Sequence, residues 1–408
     1  MLHRNPQRAH FRAAHVLIWS VKLAALSVVA ALVLALASWW LARMSASAAV
    51  DAGRLYAELR ERLDPKFPGR GPTDYSGNTV EDVPKGYAMI LKAELLHGRR
   101  RRSTTVSPLA VAAARFLMEN SDERRDGFPG WGVPIAWDPY GDGSINPAHT
   151  KYTISTAIVV DALMDWIEAD ASAPRERVLG LIRGAFMPYL ASEALSPSGL
   201  LPYSLEAVDR PYDTFNPAAY MAGVMQRYSR IEKDAALAAR IRAVADKTVV
   251  AHLKYVQRTA QGAWYWHYSV NEKVPNDLAH AGYIIWGLKL YAEHGGALAG
   301  ELDQRAIEKH LADFIDPDSG KLIAWPAFRK DANTPARSYD LGMGLFLVAQ
   351  GGESKLVRAY LSSLLAYLRA DGAYLKYPPK PGQKNLVVRE YECYVLLGLA
   401  SVQQREAR

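Results

Sequence analysis

The chain has 408 residues, half of them hydrophobic, with 49 Lys and Arg against 42 Asp and Glu. That is apolar material for one large or two medium domains, and a net charge of +7 is too mild for a nucleic-acid footprint. The single cysteine, Cys393, excludes an internal disulfide and a cysteine-rich metal site.

Residues 1–15 read as a cytoplasmic basic tail, and residues 16–43 as a transmembrane signal anchor. The apolar run 23–42 has about the 20 residues a helix needs to cross a bilayer. Arg4, Arg8, Arg12 and Lys22 lie on its N-terminal side, which places that side in the cytoplasm. Trp39 and Trp40 mark the far headgroup region. The alternative is a cleaved signal peptide, with Ala46, Ser47 and Ala48 as the processing site. Either way residues 50–408 are expected outside the cytoplasm. The expected setting is a single-pass inner-membrane protein with a periplasmic domain.

The rest of the chain repeats one layout: a loop opening with glycine and aromatics, a polar stretch, then an apolar helix. Gly132 to Trp137 leads to a helix at 152–169, and Gly199 to Tyr203 to one at 216–230. Gly262 to Trp266 leads to 277–293, Gly320 to Trp325 to 338–350, and Gly372 to Tyr377 to 387–402. The spacing of 52 to 67 residues fits a unit of two helices and a loop. Second, amphipathic helices are predicted near 104–120, 175–193, 233–258, 301–314 and 354–369. In the third of these Leu237, Ile241, Val244, Thr248 and Ala251 share one face. The first helices are apolar nearly all round and belong in an interior. Residues 84–97 add a further inner helix, and 50–62 can supply the outer partner missing after 402. The fold expected is all-α: an (α/α)6 toroid closed by its own N-terminal segment. The rival is an open superhelix of helical repeats.

In such a ring the loops entering the inner helices open on one face. Trp131, Trp137, Tyr140, Tyr203, Tyr212, Trp264, Trp266, Trp325, Tyr374 and Tyr377 recur there. Flat rings stack on sugar faces, so the set suggests a glycan groove; each ring taken singly could equally cap the core. Ionisable residues gather at the starts of the same helices: His149 and Lys151; Asp213; Asp277 and His280, near Tyr283; Arg337 and Asp340; Arg389, Glu390 and Glu392. Asp213, Asn276 and Asp277 could also be simple helix caps. No cofactor is expected. The loop from Asp138 to Asn146 has carboxylates at its first and fifth positions, Asp138 and Asp142, and Gly143 at the sixth, as calcium loops do. Tyr140 and His149 stand where oxygen donors belong, so it reads as a tight turn. The run Arg99–Arg102 reads as a solvated loop, or as a contact for anionic polymer or lipid.

Near the C-terminus Gly372 and Tyr374, then Asn385 and Leu386, then Glu390 and Tyr391 resemble the end of the D-glucuronyl C5-epimerase catalytic domain. Trp264 to Tyr268, Pro275 and the helix from 277 are similar to the family's aromatic-acidic loop before an earlier inner helix. The resemblance spans roughly the last 190 residues. It implies a toroid acting on uronates, with Tyr374, Tyr391 and Tyr268 or Tyr265 as the tyrosines flanking the sugar. Glu390 stands in place of an Asp, Glu392 of a His, and His267 of an acid. His267 and Glu390 complete the candidate catalytic set.

The chemistry is consistent with these residues. Abstracting a proton alpha to a carboxylate requires that carboxylate to be neutralised, and Arg337, Arg389 and Lys376 are candidates. Inversion needs a proton carrier on each face, and a tyrosine base must be tuned downward from about 10. Beta-elimination shares the first step. Trp264, Tyr265, Trp325, Asp277, His280, Tyr283 and Asp340 would bind substrate. A glycoside hydrolase needs two facing carboxylates instead, from Asp277, Asp340, Glu390 and Glu392. The functional expectation is an envelope enzyme modifying an acidic polysaccharide, epimerase-like or lyase-like. The alternatives are a hydrolase on the same fold and a binding subunit of a polysaccharide synthesis and export machine. The expected partners are the polymer, the bilayer and that machine's proteins.

Overall fold

The computed structural model describes residues 51–407, apart from 76–78, 102–104, 124–125, 192–193, 330–333 and 381–385. The predicted basic tail and transmembrane segment lie outside the described residues, as do Arg102 and Asn385. Among the described residues no helix is long and apolar enough to cross a membrane.

In chain order the helices are α1 (Ala52–Glu61), α2 (Pro84–Arg100), α3 (Pro108–Glu119), α4 (Thr153–Ala169), α5 (Arg175–Phe186) and α6 (Phe215–Ser229). They continue as α7 (Ala235–Tyr255), α8 (Leu278–Glu293), α9 (Gln304–Lys309), α10 (Ser338–Gly351), α11 (Ser354–Leu365) and α12 (Arg389–Glu406). Two small antiparallel hairpins join them. Strand β1 (Arg70–Pro72) pairs with β2 (Val80–Asp82), Gly71 opposite Glu81. Strand β3 (Gln257–Arg258) pairs with β4 (Trp264–Tyr265).

The even-numbered helices form the inner ring. Each packs against the next, and α12 packs back against α2. Their composition dictates this: α6 buries every residue from Phe215 to Ser229, and a helix without a polar face is stable only when surrounded. The outer helices carry a single apolar stripe. In α11 it is Val357, Tyr360, Leu361 and Leu364, and in α1 Ala52, Leu55, Tyr56 and Leu59. Both follow the three-and-four spacing of one helix face. Helix α1 packs on α12, so the first helix of the ring supplies the last outer partner, as the sequence suggests. Gln403 on α12 fixes the joint by donating to the Ala52 carbonyl at 3.1 Å.

The recurring glycines have a backbone cause. Gly199, Gly262, Gly320 and Gly372 all adopt positive φ, which other residues adopt only at a cost. Gly132 is there for a different reason: a Cβ would lie 1.7 Å from the Thr150 carbonyl oxygen. The loops that follow are stitched around the ring. The first N–H of α4, α6, α8 and α10 has no partner within its own helix. In each case it donates to the next loop: Thr153 to Tyr203 O, Phe215 to Tyr268 O, Leu278 to Ala324 O and Ser338 to Lys376 O, at 2.9–3.2 Å. This network brings the side chains of five loops to one mouth.

Candidate functional site

The first turns of the inner helices and the loops before them enclose a cavity of about 260 Å³. Two kinds of wall face each other across the ring order. Loops before α2, α4 and α6 supply aromatics in edge contact. Tyr75 meets Trp137 at 5.0 Å between centroids, Trp137 meets Tyr152 at 5.5 Å, and Tyr152 meets Tyr203 at 5.7 Å. The floor is a chain of phenols: Tyr339 donates to Tyr283 at 2.5 Å, and Tyr283 and Tyr394 share a further bond. Two polar atoms on cavity-lining residues, the Tyr152 hydroxyl and Asn216 Oδ1, are buried with no partner among the described residues.

The ionic wall comes from α8, α10, α12 and the β1–β2 loop. Asp277 caps α8 through the His280 N–H and also accepts from His280 Nδ1 at 2.7 Å. Its other oxygen accepts from Arg337 Nη2 at 2.9 Å. Arg337 is held in turn by Asp340, through Nε at 3.0 Å and Nη2 at 2.8 Å. Burial pushes the Asp277 carboxyl up, but the neighbouring His280 and Arg337 outweigh it and hold it well below the usual range. With Nδ1 committed to Asp277, Nε2 is the ring nitrogen left for the cavity that His280 lines.

On α12 the Tyr391 hydroxyl donates to Asp74 Oδ2 at 2.7 Å, and Lys376 Nζ donates to both Asp74 oxygens at 2.8 and 2.7 Å. Glu390 Oε1 accepts from Lys85 at 2.9 Å and from the Tyr75 hydroxyl at 3.4 Å. The Tyr339 ring stacks on Tyr391 at 5.3 Å. Cations do not win at Tyr391: burial outweighs the lowering by Arg337 and, with Asp74, pushes its pKa well above 10. Tyr268 and Tyr374 are raised as well, both chiefly by burial. The expected base is therefore a protonated phenol at rest.

Of the residues singled out from sequence, Trp137, Tyr203, His280, Tyr283, Arg337, Glu390 and Tyr391 line the cavity. Asp277, Asp340 and Lys376 stand behind them as partners. The Tyr268 ring lies edge-on to His280 at 5.3 Å. The others are elsewhere. Tyr374 is fully buried, its hydroxyl has no partner among the described residues, and it does not reach the cavity. Arg389 and Glu392 pair with each other at 2.9 Å beneath β1, away from the cavity. Trp264 and Trp325 carry Arg258 and Arg329 on their faces, Tyr265 packs near His267 and Phe328, and none of these lines the cavity. Trp131 and Trp266 cap the core, their indole N–H groups bonded to Leu117 O and His252 O. Asp138 closes its own loop by accepting from the backbone of Tyr140, Gly141 and Gly143, and Asp142 accepts from Ser144.

Sequence reasoning missed Asp74, Tyr75 and Lys85. The signal was symmetry. Once 84–97 is an inner helix, the loop before it must open on the same mouth as the other five. Lys85 in the first turn of α2 was a second signal, since a cation there opposes the helix dipole.

A second cavity, of about 370 Å³, lies toward the C-terminal ends of the inner helices. Five of its charges are paired with one another: Lys92 with Asp161 and Asp165, and Arg227 with Asp161, Asp165 and Glu168.

No family model matches the sequence, and no curated protein matches it. Solved structures do. A GH76 α-mannanase of Bacteroides thetaiotaomicron superposes with a TM-score of 0.60 at 11% identity, over 87% of this chain and 96% of that one. A polysaccharide lyase gives 0.55 at 10%, over 86% and 97%. Cellobiose 2-epimerase of Bacillus thermoamylovorans gives 0.54 at 12%, over 86% and 98%. At these identities the likeness establishes the fold, the (α/α)6 toroid, and not a family. The neighbours are carbohydrate-active enzymes of several reaction types and do not single out glucuronyl C5-epimerase.

Proposed function

We propose that the protein is a polysaccharide-modifying enzyme of the cell envelope, held at the membrane by residues 16–43, that abstracts the C5 proton of a uronate. The observation that carries this reading is the pairing of His280 with Asp277 on α8 in the same cavity as Tyr391 on α12. Helix α10 lies between those two in the ring, so Arg337 stands between the two proton carriers. His280, oriented by Asp277, serves as the base. Tyr391, kept protonated by its surroundings, serves as the acid. Arg337 Nη1 makes none of the bonds that hold the guanidinium to Asp277 and Asp340, and it is the donor offered to the substrate carboxylate. The aromatic wall stacks the sugar ring. Proton delivery to C5 gives an epimer; delivery to the leaving O4 gives an unsaturated end.

A second reading is hydrolysis. Asp74 and Glu390 both line the cavity, and each is held by a lysine and a tyrosine hydroxyl. The deciding experiment incubates the full-length protein with uronate polymers in deuterated water and follows them by NMR. Deuterium at C5 is the expected result. New reducing ends without C5 deuterium would replace this reading with hydrolysis. Binding without turnover would make the protein a glycan-binding subunit.

A further inference from the structure

We propose that Lys376 and Asp74 form the proton relay that recharges Tyr391, with Asp74 as a positioning residue for the acid of the reaction. The inference rests on the proton-abstraction reading above. Three separate segments converge to build the relay: Asp74 from the β1–β2 loop, Lys376 from the loop before α12, and Tyr391 from the first turn of α12. The bonds run in series, Lys376 Nζ to Asp74 at 2.7–2.8 Å and Tyr391 Oη to Asp74 at 2.7 Å. The outer members keep contact with water. The side chains of Lys376 and Asp74 are 20% and 28% exposed, whereas Tyr391 is 7% exposed. A buried phenol that gives up its proton has no route of its own to solvent, and this pair provides one.

The proton count closes. The C5–H bond breaks, its electron pair enters the enolate, and its proton goes to His280 Nε2. Tyr391 Oη then gives its proton to C5 on the other face and becomes a phenolate. Asp74 passes a proton to the phenolate as it takes one from Lys376 Nζ. Water returns the proton to Lys376 and removes the one on His280. In the reverse direction every transfer runs backwards. The phenolate forms among Arg337 and Tyr339 on α10, Glu390 on α12, and the Asp74–Lys376 pair. Of these, Arg337 and Lys376 stabilise its charge.

A simpler role for the pair would be to fasten the β1–β2 loop over the ring. Asp74→Asn separates the two, because an amide keeps size and hydrogen bonding but cannot carry a proton. In the full-length protein, C5 deuterium exchange should persist, since His280 alone can remove and return that proton. Inversion or elimination should fall by roughly 100-fold or more, the usual worth of a general acid. Lys376→Gln should give the same split, and Asp74→Glu should restore part of the loss. Equal loss of exchange and inversion in Asp74→Asn, or inversion unchanged, would overturn the relay. Thermal denaturation of each variant shows whether folding accounts for an equal loss. If the wild type exchanges no deuterium, the proton-abstraction reading fails and the relay with it, and that result is distinct from either variant outcome.

Discussion

Replacing Asp161 with Asn should destabilise the ring by about 3 kcal/mol, at the lower end of the range for removing one partner from a buried ion pair. Asp161 is fully buried on α4. One oxygen accepts from Lys92 at 2.6 Å and from the Tyr220 hydroxyl at 2.9 Å, and the other from Arg227 Nη1 at 2.5 Å. It thus joins α2, α4 and α6 across the ring. An amide has one acceptor oxygen and two N–H donors, so one of the two cations must face a donor. Asp165 and Glu168 remain as partners of those cations but are 20% and 43% exposed in their side chains, which is why the lower end of the range applies. Urea denaturation followed by circular dichroism gives the change from the midpoint and slope. Combining Lys92→Met with Asp161→Asn should cost less than the sum of the single changes, because the stranded charge goes with it. A loss below about 1 kcal/mol in Asp161→Asn would show that Asp165 and Glu168 carry the cations alone, and would refute the argument from burial.

Gly287→Ala should cost about 1–3 kcal/mol or more, because its Cβ would lie 2.3–2.5 Å from backbone atoms of Ala219 and Tyr220 and force α6 and α8 apart; the same denaturation assay measures it. Tyr374→Phe should leave activity intact and stability unchanged or slightly raised, since the lost hydroxyl is buried without a partner; a loss of turnover as large as that of Tyr391→Phe would contradict the placement of the site. Asp165 and Asp277 are held below the ordinary carboxylate range: burial raises both, but Lys92 and Arg227 in one case, and His280 and Arg337 in the other, outweigh it. Because their folded pKa values are depressed, their contribution is complete above the unfolded pKa of about 4 and is lost as pH falls below it; a thermal midpoint unchanged from pH 6 to pH 3 would contradict this.

The ring was legible because its signals are local and repeated. Left-handed glycines, apolar inner helices and one-striped outer helices recur in order, and each has a backbone or burial cause. The site was legible where one residue follows directly from a helix start, as with Asp277, His280 and Arg337. On α12 it was legible only in part. Arg389, Glu390, Tyr391 and Glu392 look like one cluster in sequence, yet successive helical residues point about 100° apart. Glu390 and Tyr391 face the cavity, while Arg389 and Glu392, three apart, pair on the other side. Tyr374 was misplaced for a related reason. A glycine turn fixes the path of the backbone, but not which alternate side chain faces inward. Asp74 is far from its partners in sequence, 302 residues from Lys376 and 317 from Tyr391, and no local pattern encodes such a contact.

Cavity size does not mark the site. The larger cavity, at the C-terminal ends of the inner helices, is lined by Lys92, Asp161, Asp165, Glu168 and Arg227, which satisfy one another. Arg227 Nε is unpartnered there, yet the same guanidinium already reaches Asp161, Asp165 and Glu168. In the smaller cavity the unpartnered atoms among the described residues are the Tyr152 hydroxyl and Asn216 Oδ1. Burying such a group unsatisfied costs about 1–3 kcal/mol, and a ligand entering this cavity would relieve that cost at these two atoms. The two ends of the ring also differ in what the backbone leaves over. At the C-terminal end, charged side chains spend themselves on holding the inner helices together. At the N-terminal end, the loops perform that task with backbone bonds from Thr153, Phe215, Leu278 and Ser338. The side chains of His280, Arg337, Glu390 and Tyr391, at the starts of the inner helices, are thereby left to line the smaller cavity rather than to serve as a structural lock.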